Sequence, residues 1–180
     1  RSNGETVPVP DARPPPPRAQ PSTAADEEGL DLALAEFEGL PVVKEVTTWP
    51  DGSRKRVAFL ATDAQGRRFE HGPDWRWYAN HRLQLKRTLV RGKKSGEYAE
   101  WWENGLQRTK GLFVDDGKDG VWVSWHASGS PQSESAWKLG KRDGPGREWF
   151  EDGAPHSESA WKNGLRDGAF REWFHDGREK

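Results

Sequence analysis

A chain of 180 residues carrying 28 basic and 29 acidic side chains has a formal net charge of −1, so no global field draws it to nucleic acid. It contains no Cys, which excludes disulfides and thiolate metal sites, and no apolar run approaches the roughly 18 residues of a membrane helix. Aliphatic core formers are sparse, with 12 Leu, 10 Val and no Ile, but 11 Trp offset them because each indole buries roughly 150–250 Å².

Residues 1–25 hold Pro8, Pro10, Pro14 to Pro17 and Pro21 among small polar residues. That composition favours extended polyproline conformations and cannot bury a core, so the segment reads as a disordered tether, with a proline-rich ligand for a recognition domain as the alternative. From Asp26 the spacing changes. Leu30, Ala33, Leu34 and Phe37 fall on one stripe, which predicts a short amphipathic helix over 26–40, ended by Gly39 and Pro41 and placed as a cap over the open end of a sheet. The acidic residues Asp26, Glu27, Glu28, Asp31, Glu36 and Glu38 crowd this segment, while Arg82, Lys86, Arg87, Arg91, Lys93 and Lys94 crowd another. Two solvated faces is the simple reading; a salt-sensitive contact between them is the sharper one. Residues 41–71 read as an irregular first hairpin unit, with strands around Val42 to Val46 and Val57 to Leu60 joined at Pro50-Asp51-Gly52.

The remaining residues, 72–180, repeat. Aligning Gly72, Gly96, Gly120, Gly144 and Gly168, all 24 residues apart, brings Trp77, Trp101, Trp125, Trp149 and Trp173 into one column. The next column holds Tyr78, Trp102, His126, Phe150 and Phe174, followed by Asn104-Gly105, Ser128-Gly129, Asp152-Gly153 or Asp176-Gly177; Asn80-His81 alone lacks the glycine. Leu89, Phe113, Trp137 and Trp161 share a further column. Asn-Gly and Asp-Gly doublets suit type I′ hairpin turns, so each unit should be a strand, a tight turn, a returning strand and a looser glycine turn. One hairpin is marginal in water, whereas stacked hairpins share stability between neighbours. The fold expected is therefore all-β, a single-layer meander of antiparallel hairpins. The first tryptophan column should form its core, and by strand alternation Tyr78, Trp102, His126, Phe150 and Phe174 point the other way as a candidate partner-binding face. The final strand, with the chain stopping near half of a unit, should present an edge for pairing.

No constellation suggests catalysis. His71, His81, His126, His156 and His175 lack the short paired spacing of a zinc site, and Glu100, Glu148 and Glu172 occupy one repeat position, unlike an acid/base pair in two different environments. No cofactor is expected.

The decapeptides GEYAEWWENG (96–105), GPGREWFEDG (144–153) and GAFREWFHDG (168–177) resemble the MORN repeat family, and more closely its bacterial YwqK-like antitoxin variant. The likeness covers 72–180 strongly and 42–71 weakly; His81 and the shifted Asp116-Gly117 depart from the pattern. It implies a hairpin meander used for protein contact, with antitoxin activity in the bacterial branch. The expected function is a non-enzymatic protein-binding scaffold, a subunit of an assembly in one form. The alternatives are an antitoxin or immunity protein and a cell-wall or glycan-binding module. No Met occurs, so loss of an initiator segment is expected; with the tether, this favours export over a cytoplasmic location, with membrane contact only through such a removed anchor.

Overall fold

The computed structural model describes residues 15–23, 26 and 34–180. Eleven strands form one antiparallel sheet in unbroken sequence order. They are β3 (Val43–Thr48), β4 (Arg54–Thr62), β5 (Arg68–Trp77), β6 (Leu83–Val90), β7 (Lys93–Trp101), β8 (Gln107–Val114), β9 (Gly117–Trp125), β10 (Pro131–Lys138), β11 (Lys141–Trp149), β12 (Pro155–Lys162) and β13 (Leu165–Glu172). A small hairpin, β1 (Glu36–Phe37) and β2 (Leu40–Pro41), precedes them. The protein is a single-layer hairpin meander with a 24-residue period, as the alternating sequence pattern requires.

Directly opposed residues share a face, so the register separates two rows. The first face carries Val57, Phe59, Trp75, Trp77, Leu83 and Trp101 in one buried cluster, and Val123 and Trp125 in a second. Along the repeat column Trp77, Trp101, Trp125 and Trp149 are buried and Trp173 is half-buried. The second face carries Leu85, Leu89, Tyr98, Phe113 and Trp122; Tyr98 and Trp122 each lie edge-on or tilted against Phe113, at 5.2 and 4.8 Å between centroids. Gly111 is the space that makes this possible. A Cβ there would stand 2.3 Å from the Trp122 ring.

The two ends of each hairpin use different turns, and the assignment expected from sequence is reversed. Leu139-Gly140 and Asn163-Gly164 have positive φ at both residues, as do Arg91-Gly92 and Asp115-Asp116. These are the I′-like turns. At the Asn-Gly end Asn104 keeps a negative φ, Gly105 N–H donates to Trp102 O at 2.8 Å, and Trp102 N–H to Leu106 O at 2.8 Å. That is a turn followed by one left-handed residue, and the Asn is selected because its Oδ1 accepts the Leu106 N–H at 3.0 Å. Asp152 and Asp176 do the same for Ala154 and Arg178. The repeat glycines sit within strands: between Ser135 and Trp137 the register on β11 jumps across 143–145, where Gly144 has φ +117°. They mark bulges.

His81 occupies the left-handed position with φ +66°, and its turn still closes, with His81 N–H donating to Tyr78 O at 3.1 Å. A Cβ residue there is strained. Substituting His81→Gly is expected to raise stability by about 0.5–1 kcal/mol, the relieved strain exceeding the added chain entropy. A lower melting temperature in the variant would mean that the exposed 3.6 Å contact of His81 with Asp51 contributes more than the strain costs.

Two expectations for the N-terminal region change. The helix expected over 26–40 is not what its described part forms: 34–41 is a hairpin with Glu38 and Gly39 both at positive φ. Residues 27–33 lie outside the described residues. Leu34, Phe37 and Leu40 pack on the first face against the main cluster. His71 ties them down. Its Nδ1 accepts the Arg91 N–H at 3.0 Å, so its Nε2 carries the proton and donates to Phe37 O at 2.9 Å. Of the tether expected over 1–25, residues 15–23 run against the repeats. Residues 1–14 lie outside the described residues.

One ionic cluster is built into the second face near β4 to β6. Asp74, fully buried, accepts from Arg56 Nε and Arg87 Nε at 2.7 Å each and lies 3.3 Å from Arg76. Arg56 and Arg87 also pair with Glu70. Burial works to raise the Asp74 carboxyl, but the hydrogen bonds from Arg56 and Arg87 outweigh it and hold the group below its ordinary value. From the basic stretch singled out above, Arg87 is thus an internal partner. Among the described acidic residues, Asp26 shares a hollow of the first face with Lys86, and Glu36 and Glu38 are exposed.

Candidate partner-binding surface

In the aromatic column Tyr78, Trp102, His126 and Phe150 each follow the last residue of their strand, and Phe174 lies two residues past β13, at the rim where the Asn-Gly-type turns lie. Its first members reach across to the next hairpin. Tyr78 Oη donates to Trp101 O at 2.9 Å and Trp102 Nε1 to Trp125 O at 3.1 Å; His126 Nε2 lies 3.3 Å from Trp149 O. Each step is 23 residues, so the column staples consecutive repeats along the rim. Phe150 is half-buried and meets His156 at 4.5 Å and His175 at 5.0 Å, while Phe174 is exposed. Phe174 is the exposed member of this column, the other four being half-buried.

The other histidines are also engaged. His156 sits between Glu148 and Glu172, at 3.6 and 3.7 Å, and His175 Nε2 lies 3.1 Å from Asp152. Among the described residues no group of three His, Asp or Glu side chains is arranged to hold a metal ion.

The second face carries a row that sequence reading passed over. Lys94 lies over Phe113 at 4.5 Å, Lys118 over Trp122 and Trp137 at 4.1 and 4.9 Å, Arg142 over Trp137 and Trp161 at 5.6 and 4.8 Å, and Arg166 over Trp161 and Phe170 at 5.8 and 4.1 Å. Cations and rings alternate, each cation spanning neighbouring repeats. Burial, then Arg142 and Lys94 as like charges, push the Lys118 ammonium below its ordinary value. The recurrence of a cation every 24 residues at Lys94, Lys118, Arg142 and Arg166 is a signal the sequence does contain.

On the first face, at the same rim as the staples, residues 15–23 lie as a strap across two hairpins. Ala19 N–H donates to Gly129 O at 2.9 Å and Ser22 N–H to Gly105 O at 3.2 Å, while Gln20 O accepts from Gln107 N–H at 2.9 Å. Trp125 Nε1 donates to Pro17 O at 2.8 Å, and Arg18 Nη2 to Ser128 O at 2.9 Å. Ala19 is buried against Val123, Trp125 and Leu106. The rim thus holds an extended peptide by backbone bonds, one small apolar contact and one indole N–H. Nothing in the composition of residues 15–23 announces this contact, because the groups that fix it belong to turns 80 or more residues away.

Beyond the strap, toward the later repeats, lies a hollow of about 660 Å³ lined by Arg18, Ser128, Phe150, Glu151, Asp152 and His175. Compared with known proteins, the chain matches no family model and no curated protein.

Proposed function

We propose that this protein is a non-enzymatic protein-interaction scaffold built from MORN-like repeats, whose hairpin rim binds extended polypeptide segments. The observation carrying this is the strap: residues 17–22 are held against two hairpins by bonds to the backbone groups Gly105 O, Gly129 O and Gln107 N–H. Backbone recognition of an extended chain is a mode that transfers to other segments, with pockets beside it setting the choice. The turn glycine that supplies the accepting carbonyl recurs at Gly105, Gly129, Gly153 and Gly177. An inhibitory role toward a toxin partner is one form such binding would take. Glycan binding by spaced aromatics is less well supported, because Trp137 and Trp161 already stack against Lys118, Arg142 and Arg166.

Panning a phage-displayed peptide library over the immobilised full chain tests this. Enrichment of peptides whose binding is reduced by substitutions along the rim is expected. No enriched peptide, together with retention of oligosaccharides on a glycan array, would replace the scaffold by the glycan reading.

A further inference from the structure

The strap's step matches the array. Ala19 and Ser22, three residues apart, bond to Gly129 and Gly105, 24 residues apart. Successive hairpins are two strand spacings apart, about 9.5 Å, and three residues of polyproline II advance about 9.3 Å. One turn of such a helix therefore spans one repeat, and a polyproline II segment can keep the same contacts from hairpin to hairpin without slipping. The N-to-C direction of the strap runs from the Trp125 hairpin to the Trp101 hairpin.

The next position along this track is the Trp149 hairpin. It has the same donor and acceptor types as the Trp125 hairpin: an indole N–H on a buried tryptophan, and a glycine carbonyl at Gly153 in place of Gly129. Pro155 replaces Pro131, so at both hairpins the strand start offers no N–H and the indole is the donor left for an incoming carbonyl. No described residue accepts the Trp149 Nε1 proton. Among the described residues the strap makes no hydrogen bond to Gly153 O. A three-residue step back from Ala19 sets Pro16 against Gly153, and Pro16 has no N–H to give.

Charge selects the occupant further. At Trp125 the rim offers Ala127 and Ser128, and Arg18 of the strap bonds a backbone carbonyl; at Trp149 the equivalent positions are Glu151 and Asp152, both exposed. We infer that the Trp149 hairpin is a binding site for a basic, proline-rich extended peptide of a partner chain. Its Pro carbonyl accepts from Trp149 Nε1, its next residue is a cation facing Glu151 and Asp152, and a non-proline N–H donates to Gly153 O. This rests on the scaffold reading and names the partner's chemistry.

The probe is a synthetic peptide with blocked ends copying residues 15–19 (Pro-Pro-Pro-Arg-Ala), which stops short of the Gly129 contact held by the strap's own Ala19; it is titrated into the ¹⁵N-labelled full chain with the indole N–H resonances followed. A saturable shift of the Trp149 indole is expected, with the Trp125 indole unmoved. Glu151→Lys, an exposed change that leaves the fold intact, is expected to weaken binding about tenfold, the loss of one favourable charge contact and gain of a repulsive one; replacing Arg by Ala in the peptide should weaken it too, and make it insensitive to Glu151→Lys. Absence of any Trp149 shift overturns the proposal, as does a shift confined to Trp125, which would mean that the peptide only displaces the strap. Binding seen only after residues 1–14 are removed also overturns it, because the site would then belong to the chain's own segment. Failure here with library peptides still enriched elsewhere on the rim leaves the scaffold reading standing.

Discussion

Replacing Trp101 by alanine is expected to destabilise the protein by roughly 3–5 kcal/mol, the range for losing a fully buried large aromatic. Trp101 is only 1% exposed and belongs to the cluster that joins Trp75, Trp77 and Leu83. Its carbonyl also receives the Tyr78 Oη hydrogen bond, so the indole anchors the strand end on which the preceding repeat is stapled. A single-layer sheet covered on this face only by a short hairpin has little that can collapse into the void. In a linear array, where each unit is supported by its neighbours, the loss should break cooperativity in the middle. Against a total of about 5–15 kcal/mol, such a loss is a large share. The matched control is Trp173→Ala in the last unit, where the side chain is half-buried and a smaller loss, with fraying of that end alone, is expected. Denaturant unfolding followed by far-UV circular dichroism makes the comparison. Equal losses at the two positions would show that burial does not set the energetics of this column.

Asp74→Asn should be comparably damaging, about 3–5 kcal/mol, for an electrostatic reason. The substitution keeps shape but removes the negative charge on which Arg56, Arg87 and Arg76 converge, leaving Arg56 and Arg87 with Glu70 alone as their counter-charge in the cluster. The pH dependence has a definite sign. Because the folded carboxyl lies below its ordinary value, the unfolded chain binds its proton more readily, and stability rises with pH through that interval. The contribution is complete above the ordinary aspartate value and is lost as pH falls through the depressed folded value. Acid unfolding of the parent should therefore show a component that the Asn variant lacks. Parallel acid-stability curves for the two would remove Asp74 from the explanation. Replacing Asp74 together with Arg56 and Arg87 by apolar residues of similar volume should cost far less than the single change, since the desolvation of the cluster disappears with it.

The same contrast between local and distant causes explains what could be read beforehand. The hairpin period, the buried column Trp77, Trp101, Trp125 and Trp149, and the turn positions were legible because each depends on residues within one 24-residue unit: strand alternation places a side chain in or out, and Asn or Asp before Gly makes a turn. The turn geometry was assigned to the wrong end. Asn-Gly satisfies two turn types, and which one forms depends on whether Asn keeps a negative φ and bonds forward through Oδ1, as Asn104 does to Leu106. The I′-like positions went to Leu139-Gly140 and Asp115-Asp116, pairs with no comparable signature in both residues, as well as to Asn163-Gly164, which carries it.

The candidate surface was legible only in part. The column from Tyr78 to Phe174 was visible as a column, but its use as staples between hairpins required knowing that Trp102 Nε1 meets Trp125 O one repeat away. The helix expected over 26–40 rested on a stripe that includes Leu34 and Phe37; in the described part, packing of those two side chains and Leu40 on the first face is achieved by a hairpin, with Phe37 O held by His71. Over 34–41 tertiary contact overrode the short periodic pattern, as it does where few residues carry the signal.

By itself, then, the sequence determined the repeat, its strands and its indole core, since these follow from periodicity within neighbouring residues. Only the tertiary structure decided where the proline-rich segment goes. The place of residues 17–22 is set by Gly105, Gly129 and Trp125, far away in the chain and brought into one line by stacked hairpins that repeat at the spacing of a polyproline turn.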